Sequence, residues 1–223
     1  MSFYYLQIFS INSQFIHLAT ITWDTAFAAP TRIPFEVPQE VKFGQLAHVL
    51  SQKFFENTGR PLSEDNQNFL AEKIFGNYVP DPLNTMVSWS RFSKEHLPGQ
   101  TFTFWDWFYA ILKLTSEHLR DIWHDGNIIG FLTRPRAEEL LCGQQMGTFL
   151  LRFSDTKLGG ISIASVDPNS DQKVMMVDPF CSNDLRLRKL ADRLRDFDQF
   201  TYLYPNIPKE DAFSRYYTQV NIR

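Results

Sequence analysis

The sequence predicts an α+β protein, in which a helical block precedes a small antiparallel sheet flanked by two helices. Apolar residues recur at helical spacing between residues 46 and 112, and after Gly130 short apolar runs bounded by turn residues replace that spacing. Of the 223 residues, 43% are hydrophobic and 15% aromatic, which excludes wholesale disorder. The formal net charge of −3 argues against a protein that holds polyanions by bulk charge.

The N-terminal region is predicted to be extended. Residues 1–34 are strand-like, with weak alternation in His17–Trp23 (HLATITW). Pro30, Pro34 and Pro38 then indicate an extended connector, because the residue before a proline avoids the helical region. No stretch of about 18 uninterrupted apolar residues occurs, so the sequence predicts no membrane insertion.

Four helices are predicted in the helical block. The first ends before Gly59, and the second is capped by Ser63 and runs to about Asn77. Ser90 is predicted to cap a short third helix, and Thr103 a longer fourth one. The apolar faces of the first, second and fourth helices are Leu46, Val49, Leu50 and Phe54; Phe69, Leu70 and Ile74; and Trp107, Phe108, Ile111 and Leu112.

The residues after Gly130 predict the sheet and its two helices. Thr133 opens a short helix that Gly143 ends, and a final short helix starts at Pro208. Between them lies an amphipathic helix capped near Ser182 or Asn183, with Leu187, Leu190, Ala191, Leu194 and Phe197 inward. The predicted strands are Thr148–Phe153, Ile161–Ala164 and Lys173–Val177. The first strand is apolar along nearly its whole length, which indicates a central strand covered on both faces.

Arg152 does not fit the apolar strand that contains it. Alternation places it on the same face as Leu150 and Ser154. A buried guanidinium without a partner costs several kcal/mol, so Arg152 has either an internal carboxylate or an external anion. No acid is obvious beside it in the sequence, but an ion pair with an aspartate in the core stays open.

Further polar residues surround Arg152 in the predicted fold. Arg134 lies in the first turn of the preceding helix, where a cation opposes the helix dipole and is favoured only if an anion arrives. Ser154 and Thr156 follow at the end of the strand, where hydroxyl and backbone N–H groups donate. These residues together are typical of a pocket for a dianionic phosphate.

Several motifs resemble the signal transducer and activator of transcription (STAT) family. Gly147–Asp155 (GTFLLRFSD) and Gly159–Ala164 (GGISIA) are similar to the Src-homology-2 (SH2) domain of that family. Phe104–Phe108 (FWDWF) and Trp123–Gly126 (WHDG) resemble its helical linker domain, and Trp23–Ala28 (WDTAFA) the last segment of its DNA-binding domain. The resemblance covers about residues 18–220 and is nearest to the branch of the insect and prolactin-responsive members.

The resemblance implies a domain organisation and a set of site residues. Residues 1–34 would hold a non-family N-terminus and the end of a DNA-binding domain, 35–126 the linker domain and 127–223 the SH2 domain. The phosphotyrosine site would comprise Arg134, Arg152, Ser154, Asp155 and Thr156, with Arg152 gripping the phosphate bidentately. Arg134 stands where the family usually has lysine, which keeps the charge and changes the donor geometry. Ser165 replaces a tryptophan that is common in close relatives.

The resemblance also implies partners and location. The partners would be phosphotyrosine peptides of activated receptors or of a STAT partner, with a Janus-type tyrosine kinase upstream. DNA would be bound only through the DNA-binding domain, most of which is absent, and the chain ends at Arg223, before the tail tyrosine of the family. We therefore expect a truncated chain that is monomeric. Two cysteines and no extracellular signal fit a cytoplasmic protein that becomes nuclear on activation.

Two other classes of function are weighed against this interpretation. An enzyme needs a nucleophile and an oriented base, but the five histidines are scattered and fall in no catalytic or zinc-binding pattern, so the sequence predicts no catalytic residue, metal or cofactor. A nucleic-acid-binding fragment or decoy adaptor using the basic Arg186–Arg195 helix is the alternative. That helix also carries Asp184, Asp192 and Asp196, which nearly cancel its charge.

Overall fold

The chain folds into two units. The computed structural model describes residues 18–23, 25–26, 38–167 and 174–219. The first unit contains the described residues up to Glu56 together with Pro61–Tyr109. The second contains Asn57–Arg60 and the described residues from Ala110 onwards. The predicted α+β class is confirmed, while the connector through Pro30 and Pro34 lies outside the described residues.

The helices of the first unit form as the spacing predicts. They are α1 (Phe43–Thr58), α2 (Glu64–Phe75), α3 (Trp89–Ser93) and α4 (Phe104–Leu114), and α1 and α4 run on into the second unit. A two-stranded antiparallel ladder joins β1 (Glu40–Lys42) to β2 (Met86–Ser88), with Val41 opposite Val87 and both buried. The inward residues predicted for the first, second and fourth helices are all buried.

Side-chain caps set where these helices begin. The Ser63 hydroxyl accepts from the Asn66 N–H at 3.2 Å, as predicted. Thr103 and Asp106 form a reciprocal capping box, in which each side chain accepts from the other residue's N–H. The predicted cap at Ser90 is wrong, because Ser88 has the extended backbone that a cap needs and accepts from the Arg91 N–H.

Residues 18–23 and 25–26 are helical, so the strand predicted at His17–Trp23 is wrong over the described part. Ala19, Trp23 and Ala26 are buried at i, i+4 and i+7, which is one helix face. The Trp23 ring stacks on Phe92 with centroids 5.2 Å apart, and its Nε1 donates to the Pro38 carbonyl. The helical spacing of Ala19, Trp23 and Ala26 is visible in the sequence, and it outweighs the weaker strand-like alternation of residues 17–23. The prediction for residues 1–17 lies outside the described residues.

The second unit is built on a mixed sheet. Its strands are β3 (Thr148–Phe153), β4 (Gly160–Val166), β5 (Val174–Met176), β6 (Phe180–Cys181), β7 (Tyr202–Leu203) and β8 (Ile207–Pro208). Their order is β5-β4-β3-β7-β8, and β6 pairs with β4 beside this path. The pairings β3–β4 and β4–β5 are antiparallel as expected, and β4–β6 and β7–β8, which involve strands that were not predicted, are antiparallel too. The parallel pairing of β3 with β7 was not predicted, because a two-residue strand carries no periodic signal. The predicted third strand corresponds to β5, and Lys173 lies outside the described residues.

Helices lie before, between and after the strands of this sheet in the chain. The elements before β3 are a π-helical turn (Thr115–Leu119), α5 (Arg120–His124) and α6 (Arg134–Leu141). Two helices follow β6, namely α7 (Ser182–Leu187) and α8 (Leu190–Asp196). After β8 come α9 (Lys209–Phe213) and a 3₁₀ turn (Ser214–Tyr216). Ala137 and Leu141 of α6 pack with Leu150 and Ala164 in one core cluster. Phe149 stacks on Phe200, with ring centroids 5.2 Å apart. The central strand is therefore buried along its whole length, as predicted.

The single amphipathic helix predicted after the third strand is two helices. Arg188 has an extended backbone, with φ −153° and ψ 126°, and this breaks the chain between α7 and α8. Leu187 is 86% exposed, so its predicted inward position is wrong. Cys181, and neither Ser182 nor Asn183, is the N-cap, and its N–H donates to the Asp184 carboxylate at 2.8 Å.

Arg60 and Trp123 interlock within the second unit. Arg60 Nη1 donates to the carbonyls of Trp123 and Ile128 at 2.9 and 3.1 Å, and the Trp123 indole donates back to the Arg60 carbonyl at 3.0 Å. The guanidinium also lies over the Trp123 ring, 4.3 Å from its centroid. The residues 57–60 are thereby fixed to the end of α5.

We predict that Arg60→Met lowers the free energy of unfolding by about 2–4 kcal/mol, because the guanidinium's hydrogen bonds to the Trp123 and Ile128 carbonyls and its cation–π contact are lost. Urea unfolding followed by tryptophan fluorescence measures the change. Arg136→Met is the matched control. Its exposed pair with Glu139 is worth less than about 1 kcal/mol. Equal effects of the two variants would contradict the interlock.

Asp192 ties the C-terminal segment to α8. Its side chain is buried, and its two carboxylate oxygens accept from the N–H and the hydroxyl of Thr218 at 2.9 and 2.5 Å. Burial alone would raise the pKa of Asp192, but the hydrogen bonds from Thr218 and the nearby Arg195 and Arg188 lower it below its usual value. The ionised carboxylate therefore stabilises the folded state.

We predict that Asp192→Asn costs about 1–3 kcal/mol of stability at pH 7 and less in acid. A pKa lowered on folding contributes stability above the unfolded value, about 4, and that stability is lost as the pH falls through the folded pKa. Urea unfolding at pH 7, 5 and 3 tests this, with Asp198→Asn, an exposed carboxylate, as control. A difference from the unsubstituted chain that grows towards pH 3 would contradict the assignment.

Candidate anion-binding site on the central strand

Neighbouring backbone on both sides encloses Arg152. On one side it is opposite Ser162 of β4. On the other side residues 129–131 run parallel to the strand, with the Phe153 N–H donating to the Gly130 carbonyl at 2.8 Å. The residue is 6% exposed, so its guanidinium cannot rely on water for hydrogen bonds.

The guanidinium of Arg152 is only partly satisfied. Nη1 donates to the Leu132 carbonyl at 2.7 Å and to the Phe153 carbonyl at 3.3 Å. Nη1 and Nη2 approach the same oxygen of Asp155 at 3.5 and 3.4 Å. The buried Nε has no hydrogen-bond partner among the described residues. Strong guanidinium–carboxylate bonds are shorter, at about 2.7–2.9 Å, so the Asp155 contact is a loose one.

Asp155 corrects one sequence expectation. The sequence showed no obvious acid beside Arg152, yet this aspartate, three residues on, is the carboxylate that faces it. Its side chain is 28% exposed, whereas that of Arg152 is 7% exposed. The pair is therefore neither a sealed ion pair in the core nor a bare cation, and the carboxylate has solvent into which it can move.

Ser154 organises the loop after β3. Its backbone N–H donates to the Gly160 carbonyl at 2.8 Å, and its hydroxyl oxygen accepts from the N–H groups of Thr156 and Lys157 at 3.4 and 3.1 Å. Ser154 is buried, whereas Thr156 is exposed. The loop thus turns around the serine directly beyond the guanidinium.

The Arg134 side chain pairs with a residue of its own helix and not with Arg152. Thr133 caps α6 by accepting from the Arg136 N–H, as predicted. The Arg134 side chain is 62% exposed, and its Nε donates to Glu138 at 2.9 Å. No contact between Arg134 and Arg152 is described, although Arg152 binds the carbonyl of Leu132, two residues before Arg134. The spacing of Arg134 and Glu138, i and i+4, could have revealed this pair from the sequence, whereas a backbone acceptor such as Leu132 leaves no sequence signal.

The basic helix of the alternative hypothesis is in fact two helices whose arginines are largely paired. Arg188 donates to Asp196 at 2.6 Å, Arg193 to the Asp184 carbonyl at 2.6 Å, and Arg195 lies 3.4 Å from Asp192. Arg186 lines a cavity of about 530 Å³ together with Arg120 and Lys189. Arg188 and Arg195 are therefore each paired with an acid of the same segment, which weakens the case for a nucleic-acid surface.

Within residues 18–23, 25–26, 38–167 and 174–219, no three His, Cys, Asp or Glu side chains are grouped as metal ligands. In the same ranges, no helix is both long and apolar enough to cross a bilayer.

Comparison with known families identifies both parts of the chain. Residues 30–108 match the description "Signal transducer and activator of transcription, linker domain", and residues 128–202 match the SH2 domain. A mosquito protein, the "Signal transducer and transcription activator" of Anopheles gambiae, is 39% identical over 213 residues, which cover 94% of this chain. The chain belongs to the STAT family. It spans 30% of the length of that STAT relative, which comes from an insect, as the resemblance indicated.

The STAT assignment rests on these sequence matches. One solved structure, "Inactive choanoflagellate E3 ubiquitin ligase Cbl TKB", covers 83% of this chain and 53% of its own, at 16% identity and a TM-score of 0.34. The residues predicted as the STAT phosphotyrosine site, from Arg134 to Thr156, all lie inside the matched SH2 segment.

We predict that Asp155→Asn strengthens anion binding at Arg152. The substitution removes the negative charge that faces the guanidinium, while the amide oxygen of asparagine can still accept a hydrogen bond from it. Thermal unfolding with increasing sodium phosphate, against sodium chloride at equal ionic strength, measures the ligand's stabilisation. We expect a larger phosphate-specific rise in Tm for Asp155→Asn than for the unsubstituted chain, and no such gain for Asp167→Asn.

Proposed function

We propose that residues 127–223 form a phosphotyrosine-binding SH2 domain, preceded by a linker domain at 35–126 and, within residues 1–34, by the end of a DNA-binding domain. The observation that carries this proposal is the partly satisfied guanidinium of Arg152, whose buried Nε has no partner among the described residues. Together with membership of the STAT family, it supports a binding module in a signal transducer rather than an enzyme.

Arg152 would bind the phosphate bidentately. Its Nη1 keeps the Leu132 carbonyl, which holds the guanidinium plane in place. A dianionic phosphate would replace the single, loosely held oxygen of Asp155 and accept from Nε and Nη2. Because the guanidinium is almost fully buried, its exchange of a carboxylate for a dianion takes place at low dielectric, where charge-assisted hydrogen bonds are strong.

The loop after β3 and the start of α6 would complete the pocket. Ser154 sets the turn, and the backbone of Asp155 and Thr156 would face the phosphate. Arg134 would leave Glu138 to reach the phosphate from solvent. Its present pair is exposed at both side chains, at 62% and 44%, so breaking it costs less than about 1 kcal/mol.

The family extends the proposal to partners and location. Phosphotyrosine peptides of activated receptors, or of a STAT partner, would be the ligands, after phosphorylation by a Janus-type tyrosine kinase. In the whole protein, reciprocal binding of phosphotyrosine by two SH2 domains would form a two-fold dimer that passes from the cytoplasm to the nucleus and binds DNA. The 39% sequence identity to the mosquito "Signal transducer and transcription activator" supports this set of proposals.

We predict that Arg152→Ala weakens phosphotyrosine-peptide binding at least about 30-fold, since a buried charge-assisted pair is worth about 2–5 kcal/mol. Fluorescence anisotropy with labelled phosphotyrosine peptides, beside their unphosphorylated forms, measures the affinity. Arg134→Ala should cost less than tenfold, because that side chain is exposed and already paired.

Arg136→Ala is the matched control, since this arginine lies on the same helix and pairs with Glu139 in solvent. Far-ultraviolet circular dichroism of each variant tests whether the fold is retained. Equal binding of phosphorylated and unphosphorylated peptides by the unsubstituted chain would overturn the proposed function. Unchanged phosphopeptide affinity in Arg152→Ala would overturn the assigned site.

A further inference from the structure

Tyr78 differs from every other tyrosine that the structure describes. It is 76% exposed, whereas Tyr109, Tyr202, Tyr204, Tyr216 and Tyr217 are all partly buried. Tyrosine is usually half-buried, because its ring is apolar and only its hydroxyl needs water. A tyrosine ring held this far into solvent gains little from folding, which suggests a role outside the fold.

The hydroxyls near the C-terminus are occupied. Tyr216 donates to Asp125 and accepts from Arg215, and Tyr217 donates to Glu210 at 3.0 Å. Burial and these carboxylates raise the pKa of both phenols to about 12. No side-chain or backbone hydrogen bond of Tyr78 is described within the ranges that the structure covers.

The backbone around Tyr78 is anchored at both ends and loose between them. Upstream, Gly76 ends α2 in the left-handed region, with φ 77°, and its N–H binds the Glu72 carbonyl. Downstream, Asp81 accepts from Asn84 and Thr85, which fixes the turn before β2. The irregular residues between these points line a cavity of about 280 Å³ against α2, so they are not tightly packed.

We propose that Tyr78 is a phosphorylation site for a tyrosine kinase. A kinase must bring the tyrosine Oη in line with the γ-phosphate of ATP, so it needs an acceptor whose neighbouring residues can be lifted from the surface without unfolding the domain. In the transfer Oη forms a bond to the γ-phosphorus, the bond to the ADP oxygen breaks, and the phenolic proton passes to the base of the kinase. Tyr78 meets the requirement of access, and the other described tyrosines do not.

The added phosphate would stay in solvent. It carries about −1.5 to −2 charges at neutral pH, and Glu72 of α2, which lines the same cavity as Tyr78, repels it. Lys73, on the same helix as Glu72, lies over the Trp107 ring, with its ammonium 5.4 Å from the centroid. The phosphotyrosine is therefore presented outwards, where a phosphotyrosine-binding domain of another molecule can reach it. This inference does not depend on the function proposed for Arg152.

The experiment compares Tyr78 in the folded chain with the same tyrosine in a free peptide. Trypsin cuts after Lys73 and Arg91, and Tyr78 is the only tyrosine between them. A tyrosine kinase domain is first selected for activity on the synthetic peptide 74–91. It is then incubated with the folded chain, ATP and Mg²⁺, and the phosphate on each tryptic peptide is followed by mass spectrometry.

We expect Tyr78 in the folded chain to be phosphorylated within tenfold of the rate in the free peptide, and at least tenfold faster than the other described tyrosines. Tyr78→Phe should remove phosphate from this peptide, whereas Tyr202→Phe, a partly buried tyrosine on β7, should leave the rate at Tyr78 unchanged. A rate at Tyr78 more than 100-fold below that of the free peptide would overturn the proposal, because the fold would then protect the site.

Discussion

The burial of one guanidinium on the central strand is the constraint around which the second unit is arranged. All six residues of β3 are buried, so the charge of Arg152 must be met by protein groups rather than by water. Residues 129–131 run alongside the strand and carry the Leu132 carbonyl to the guanidinium, and the turn around Ser154 brings Asp155 back to it. The chain on both sides of β3 thus supplies hydrogen-bond acceptors to Arg152, which an apolar residue at this position would not need.

Each arginine at this site is paired with a carboxylate that an anionic ligand can replace. Asp155 is close to Arg152 but at a loose distance, and Glu138 holds Arg134 in solvent. Each basic group therefore has an acid within the chain while no ligand is bound, and each acid has solvent to move into. Such an arrangement keeps the folded state free of uncompensated buried charge and still leaves the arginines available to a dianion.

Sequence reasoning predicted the parts of this structure that depend on local patterns. Phe69, Leu70 and Ile74 are buried because helical spacing places them together, and Ser63 caps α2 because its hydroxyl replaces a missing backbone acceptor. Arg152 stood out because it contradicts the pattern of its strand. The break at Arg188 and the parallel pairing of β7 could not be predicted, since both follow from tertiary packing of very short segments. The acceptor at Leu132 is a backbone atom, which no residue type reveals.

The interlock of Arg60 with Trp123 has a consequence for how this region can change in evolution. Residues 57–60 belong to the second unit although the chain on either side of them belongs to the first, so the polypeptide crosses between the units three times. Neither unit is a continuous stretch of sequence. A recombination breakpoint between residues 60 and 123 would separate the Arg60 side chain from the Trp123 and Ile128 carbonyls to which it donates. The two units are therefore expected to be inherited together.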